Sequence, residues 1–98
     1  MESFLPGWTM ERVTLLAPDA ASAQSGRKLA NPRDADWKAI ASDGFSAWAV
    51  YHGSTKNPHK LKVDLLKLRH DDKVWDCSCK TYKSPCKHLL ALLYMLSN

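Results

Sequence analysis

Cys77-Ser78-Cys79, six further residues and then Cys86-Lys87-His88 form the feature that most constrains this chain. Structural zinc takes four sulfur or nitrogen ligands at tetrahedral corners, typically from two closely spaced pairs. On a strand, residues two apart project to the same face, so Cys77 and Cys79 present both sulfurs together. On a regular helix, residues two apart diverge by about 200°. Cys86 and His88 therefore meet one ion only at a helix start, before the spiral is regular, and Ser84-Pro85 supplies such a start: serine is a good N-cap and proline suits the first helical position. The helix N-terminus also favours the Cys86 thiolate. Two plainer readings stand beside the metal: buried thiols with a surface imidazole, or a disulfide from Cys86 to Cys77 or Cys79. An odd count of three cysteines weighs against a disulfide framework. Four protein ligands leave no open position for water, so the expected cofactor is one structural Zn2+ and not a catalytic metal.

At 98 residues the chain makes one small domain, 1–98. Chains this short bury only about 60 % of their unfolded surface, so a metal is welcome support. The longest apolar run, Leu89 to Leu96, falls far short of the ~20 residues a bilayer requires, and no membrane role is expected. The opening Met-Glu-Ser-Phe-Leu-Pro-Gly-Trp has neither a basic nor a continuous apolar signal region, which points to a reducing cytoplasm. Charge is uneven. Residues 1–55 carry five Lys/Arg against six Asp/Glu, whereas residues 56–98 carry nine against four. All of the positive excess lies with the cysteines, and such an excess fits a polyanionic partner.

Along the chain, Pro18-Asp19 opens a helix that Asn31-Pro32 stops, and Gly26 within it marks a close approach to another element. A second short helix is expected from Asp34 to Ala41, giving a helical N-terminal segment over 17–44. From Phe45 the pattern turns strand-like. Ser46–His52, His59–Leu66 and Val74–Cys79 read as three strands of an antiparallel meander, with Leu61, Val63 and Leu65 alternating against Lys60, Lys62 and Asp64. Leu68 to Lys73 reads as a turn, and a helix from Pro85 to Leu96 closes a zinc-finger unit over 45–98. The expected class is α+β: an N-terminal helical segment, a three-stranded antiparallel meander, a zinc knuckle and a C-terminal helix. Trp37, Trp48 and Trp75 are expected in the core. The last helix is apolar around most of its circumference and needs cover on more than one side, from the N-terminal helices or from a partner.

Trp75-Asp76-Cys77-Ser78-Cys79 with Ser84-Pro85-Cys86-Lys87-His88-Leu89-Leu90-Ala91-Leu92 resembles the SWIM zinc finger in its bacterial form. There a Pro-Cys-Lys-His segment runs into a leucine-rich helix. The likeness extends upstream to the Pro18–Ala30 helix and the Trp48…Gly53-Ser54 stretch, over roughly residues 17–96. Lys80-Thr81-Tyr82-Lys83 departs from the Pro-Ser-Arg-like knuckle usual in bacterial relatives. The resemblance implies metal ligation by Cys77, Cys79, Cys86 and His88, and a DNA-binding or protein-binding role without catalysis. It also implies a module within a longer protein, of which this chain would be the N-terminal part.

Lys60, Lys62, Lys80, Lys83 and Lys87 are the candidate phosphate contacts, and Tyr82 is a candidate for stacking on a base. A solvated lysine face would look the same in sequence. Nucleic acid, DNA before RNA, through backbone contacts is the first expected partner. A protein partner docked on the last helix is the alternative. No paired carboxylates, nucleophile with a base, or phosphate-cradling glycine loop is present, so neither an enzyme nor a small-molecule substrate is expected.

Overall fold

A computed structural model describes residues 8–31, 33–53, 56–70, 72, 75–78 and 85–97. The element order is α1 (Met10–Leu16), α2 (Ala20–Leu29), β1 (Trp37–Ser42), β2 (Ser46–Tyr51), β3 (His59–Asp64), α3 (Leu65–Arg69), β4 (Trp75–Cys77) and α4 (Lys87–Leu96). The strands form one sheet in the order β1-β2-β3-β4, antiparallel at every step.

The class is α+β as expected, but the meander has four strands, because residues 37–42 form β1 and not the expected helix. A six-residue stretch is too short to hold a helix by propensity alone. The backbone of Trp37–Ser42 instead finds its partners along β2, from Trp37 opposite Tyr51 to Ser42 opposite Ala47. Asp34 removes the helix start by accepting the Asp36 N–H at 3.0 Å in a local turn. The Trp37 indole N–H then donates to the Leu29 carbonyl at 2.8 Å, tying β1 to the end of α2.

The helices obey their end signals. The Asp19 carboxylate accepts the Ser22 N–H at 2.7 Å and caps α2, with Arg27 and Lys28 in its last turn. The Thr9 hydroxyl accepts the Arg12 N–H at 3.2 Å and caps α1. Asp64 caps α3 by accepting the Lys67 N–H at 3.0 Å. This cap ends β3 two residues early and makes a helical turn of Leu65–Arg69, where strand followed by turn was expected. On α4 the N-cap is Cys86, two residues beyond the expected Ser84. Ser84 itself lies outside the described residues.

The β1–β2 hairpin closes through Asp43 and Gly44. Gly44 adopts φ +88°, a left-handed conformation that glycine takes without steric cost. One Asp43 carboxylate oxygen accepts the N–H groups of Phe45 at 2.9 Å and Ser46 at 2.7 Å. These contacts hold the Asp43 carboxyl below the ordinary range, the Ser46 N–H first and the Phe45 N–H second.

A single core joins the inner sheet face (Ala47, Ala49, Tyr51, Leu61, Val63) to α4. Leu89, Leu90, Leu92 and Leu93 are all buried. Full burial of such a side chain contributes about 1.5–3 kcal/mol. The far side of α4 is covered by α1 and α2, which settles the cover that the apolar helix required. Gly26 is the point of closest approach: a Cβ there would stand 2.7 Å from the Leu90 Cβ and 3.3 Å from the Lys87 carbonyl oxygen. Trp37 joins the core and Trp75 packs at its margin, but Trp48 is 42 % exposed, against expectation. β2 is apolar at both parities, so alternation alone gave it no inner face. The small Ala47 and Ala49 turn inward and put Trp48 outside.

Candidate metal centre

Cys77 closes β4 opposite Leu61, a buried residue of β3, so it stands on the inner face of the sheet. Cys86 precedes α4 with an extended backbone, φ −74° and ψ 171°. His88 is the second residue of the helix. The extended cap followed by the first helical residues provides the geometry that a regular spiral forbids, and the Cys86 and His88 side chains turn to a common point. One ligand atom from each of Cys77, Cys86 and His88 lies within 4.8 Å of the other two. Cys86 Sγ and His88 Nδ1 are 3.9 Å apart. A tetrahedral zinc ion with ordinary bond lengths would hold sulfur and nitrogen about 3.6 Å apart, so the donors fit zinc with little movement. Cys86 and His88 are both buried, Cys77 is half-buried, and both cysteines stand as thiols rather than in a disulfide. Cys79, expected as the fourth ligand, lies outside the described residues.

His88 does not stand alone. Its ring lies 4.5 Å from that of His59 and 5.1 Å from that of Tyr51, centroid to centroid. Tyr51 and His59 are directly opposite one another in the β2–β3 register. The Tyr51 hydroxyl donates to the Asp36 carboxylate. Burial first, then the Asp36 and Asp34 carboxylates, raises the Tyr51 phenol above its usual value. Burial first, and then the neighbouring His88, lowers His59. Asp36, Tyr51, His59, Lys87 and His88 border a cavity of about 250 Å³. Spacing along the chain gave His59 no metal-site role. The signal that would have found it is register, since in the antiparallel β2–β3–β4 order His59 lies two residues before Leu61, the partner of Cys77.

The basic residues divide between two surfaces. Lys60 and Lys62 alternate with the buried Leu61 and Val63, so they occupy the sheet face turned away from the core. There Lys62 pairs with Trp48 on one side and Asp76 on the other. Lys87 is exposed on the first turn of α4, beside the metal ligands. Lys80, Tyr82 and Lys83 lie outside the described residues.

Two cysteine sulfurs and an imidazole, closed around one point and mostly withdrawn from water, define a zinc centre. The family model of the SWIM zinc finger matches residues 62–97, from within β3 to just past the end of α4. No curated protein and no solved structure matches the chain. The metal would be held by the Cys77 and Cys86 thiolates and the His88 imidazole. Bound there, it would crosslink β4 to the start of α4.

Proposed function

We propose that this chain is a non-catalytic, zinc-stabilised module that binds nucleic acid, DNA in preference to RNA, through phosphate contacts at the zinc end of the fold. The observation that carries this reading is the charge around the centre. Residues 56–98 hold nine Lys/Arg against four Asp/Glu, and Lys87 is exposed on the turn that bears His88. Lys80 and Lys83 flank the ligands in sequence, with Tyr82 between them. Cys79 is proposed as the fourth ligand, which would close the site to water and leave the metal a structural role. Lys60 and Lys62 contribute less to this reading than the lysines near the ligands. Their sheet face also carries Asp76 and Asp64, which balance them. No helix among the described residues is long and apolar enough to cross a membrane. A cytoplasmic location is proposed from the thiolate ligands, which a reducing compartment preserves.

A protein-binding role is the second reading, and it no longer rests on α4, whose apolar surface is covered. It rests on Phe45 and Leu66, 63 % and 46 % exposed. The Phe45 carbonyl accepts the N–H groups of both Leu65 and Leu66, which brings the two positions together. The deciding experiment titrates the zinc-loaded protein with short single- and double-stranded DNA while backbone amide shifts are followed at two salt concentrations. Shifts around Lys87 that weaken with salt support the nucleic-acid reading. Equal binding by a Lys80→Glu, Lys83→Glu, Lys87→Glu variant, or no shifts at low salt, overturns it.

A further inference from the structure

We infer that the cross-strand pair Tyr51 and His59 is the positioning platform of the zinc ligand His88, so that residues outside the SWIM segment set the metal affinity of the finger. The inference rests on the zinc centre and not on the proposed partner. Four rings pack in succession, Trp37, Tyr51, His88 and His59. Trp37 meets Tyr51 edge-on at 4.8 Å, Tyr51 meets His88 at 5.1 Å, and His88 lies against His59 at 4.5 Å with the planes only 33° apart. Each outer member is fixed by its own anchor. The Trp37 indole donates to the Leu29 carbonyl, and the Tyr51 hydroxyl is held by Asp36. His59 sits in register with Tyr51 at the start of β3.

An imidazole on the first turn of a helix can rotate about two side-chain torsions. The rotamer present turns Nδ1 toward Cys86 Sγ, 3.9 Å away, where it would hold the metal. Ring contacts on the imidazole oppose the other rotamers, so the ligand is oriented before zinc arrives and less ordering remains to be done on binding. Neighbours that orient a ligating histidine typically change metal affinity by about 10–100-fold when removed. The family match begins at residue 62, so Tyr51, His59, Trp37 and Asp36 are all contributed by the part of the chain outside it. Zinc affinity and the docking of β1 and β2 are thereby linked.

The test compares zinc affinity, by competition with a chromophoric chelator, and the cobalt(II) absorption spectrum for four variants of the full chain. His59→Ala and Tyr51→Leu remove a ring, whereas His59→Phe and Tyr51→Phe keep one. The first two are expected to weaken zinc about tenfold or more and to broaden the cobalt spectrum, and the ring-keeping pair to stay within about threefold of the parent. His59 is only half-buried, so His59→Ala leaves the core intact even if Tyr51→Leu loosens it. Parent-like affinity and spectrum in His59→Ala would overturn the inference. So would a His59→Phe variant as weak as His59→Ala, because the imidazole would then act as a ligand or donor and not as a ring.

Discussion

Gly26 of α2 faces Leu90 of α4 so closely that a Cβ on Gly26 would stand 2.7 Å from the Leu90 Cβ. The Lys87 carbonyl and the Ala91 nitrogen are 3.3 and 3.4 Å from the same point, so backbone as well as side chain would have to move. Glycine normally costs a helix about 1 kcal/mol relative to alanine. Here the close approach outweighs propensity. Gly26→Ala is predicted to destabilise the zinc-loaded protein by about 1–3 kcal/mol, in the manner of an overpacked core. Urea unfolding followed by circular dichroism measures this, and a stabilised variant would contradict it.

Trp37 and Trp48, one buried and one exposed, give a paired prediction. Trp37 is 7 % exposed and donates to Leu29, so Trp37→Ala is expected to cost about 3–5 kcal/mol. Trp48 stands on the outer sheet face, and Trp48→Ala is expected to cost about 1 kcal/mol or less. Thermal unfolding of both variants in excess zinc tests the order. Equal losses would place Trp48 in the core after all.

The hairpin at Asp43 predicts an acid-linked loss of stability. The N–H groups of Ser46 and Phe45 lower the folded pKa of Asp43 below the ordinary carboxyl value of 3.8. A depressed carboxyl pKa stabilises the folded chain above the unfolded pKa, and that contribution is lost as pH falls through the folded pKa. The advantage of the native chain over Asp43→Ala should therefore be constant near neutrality and shrink below about pH 4. Comparing the two proteins cancels the loss of zinc in acid, which both share. A difference that stays constant into strong acid would contradict the account.

Much of the site was legible because its spacing acts locally. Two residues at a helix start bring Cys86 and His88 together over a few ångströms, and Cys77 meets them. The Cys77–Cys79 strand pair reaches outside the described residues. The Asp19 helix start and the alternation of Leu61 and Val63 were legible for the same reason. What escaped depends on pairing between distant segments. Trp37–Ser42 becomes a strand only because β2 offers it an edge. Trp48 faces water only because two alanines take the inner positions. His59 reaches His88 only through the register of β2 and β3. Local propensity carries none of these, since tertiary contacts decide them.

Zinc should also be required for the folded state. Structural zinc contributes about 10 kcal/mol or more in small metal-dependent folds. Chelation, Cys77→Ser or His88→Ala is therefore expected to unfold β4 and α4 and to expose the leucines of α4. Loss of amide dispersion in those elements reports it, and a thermal transition unchanged by chelator would contradict it.

X-ray absorption at the zinc edge of the metal-loaded protein tests the central claim most directly. The account predicts one zinc per chain in a four-coordinate, sulfur-rich shell, with sulfur at about 2.3 Å and one imidazole nitrogen at about 2.0–2.1 Å. Cys77, Cys86 and Cys79 would supply the sulfurs and His88 the nitrogen. A shell of oxygens, or one without an imidazole, would contradict it.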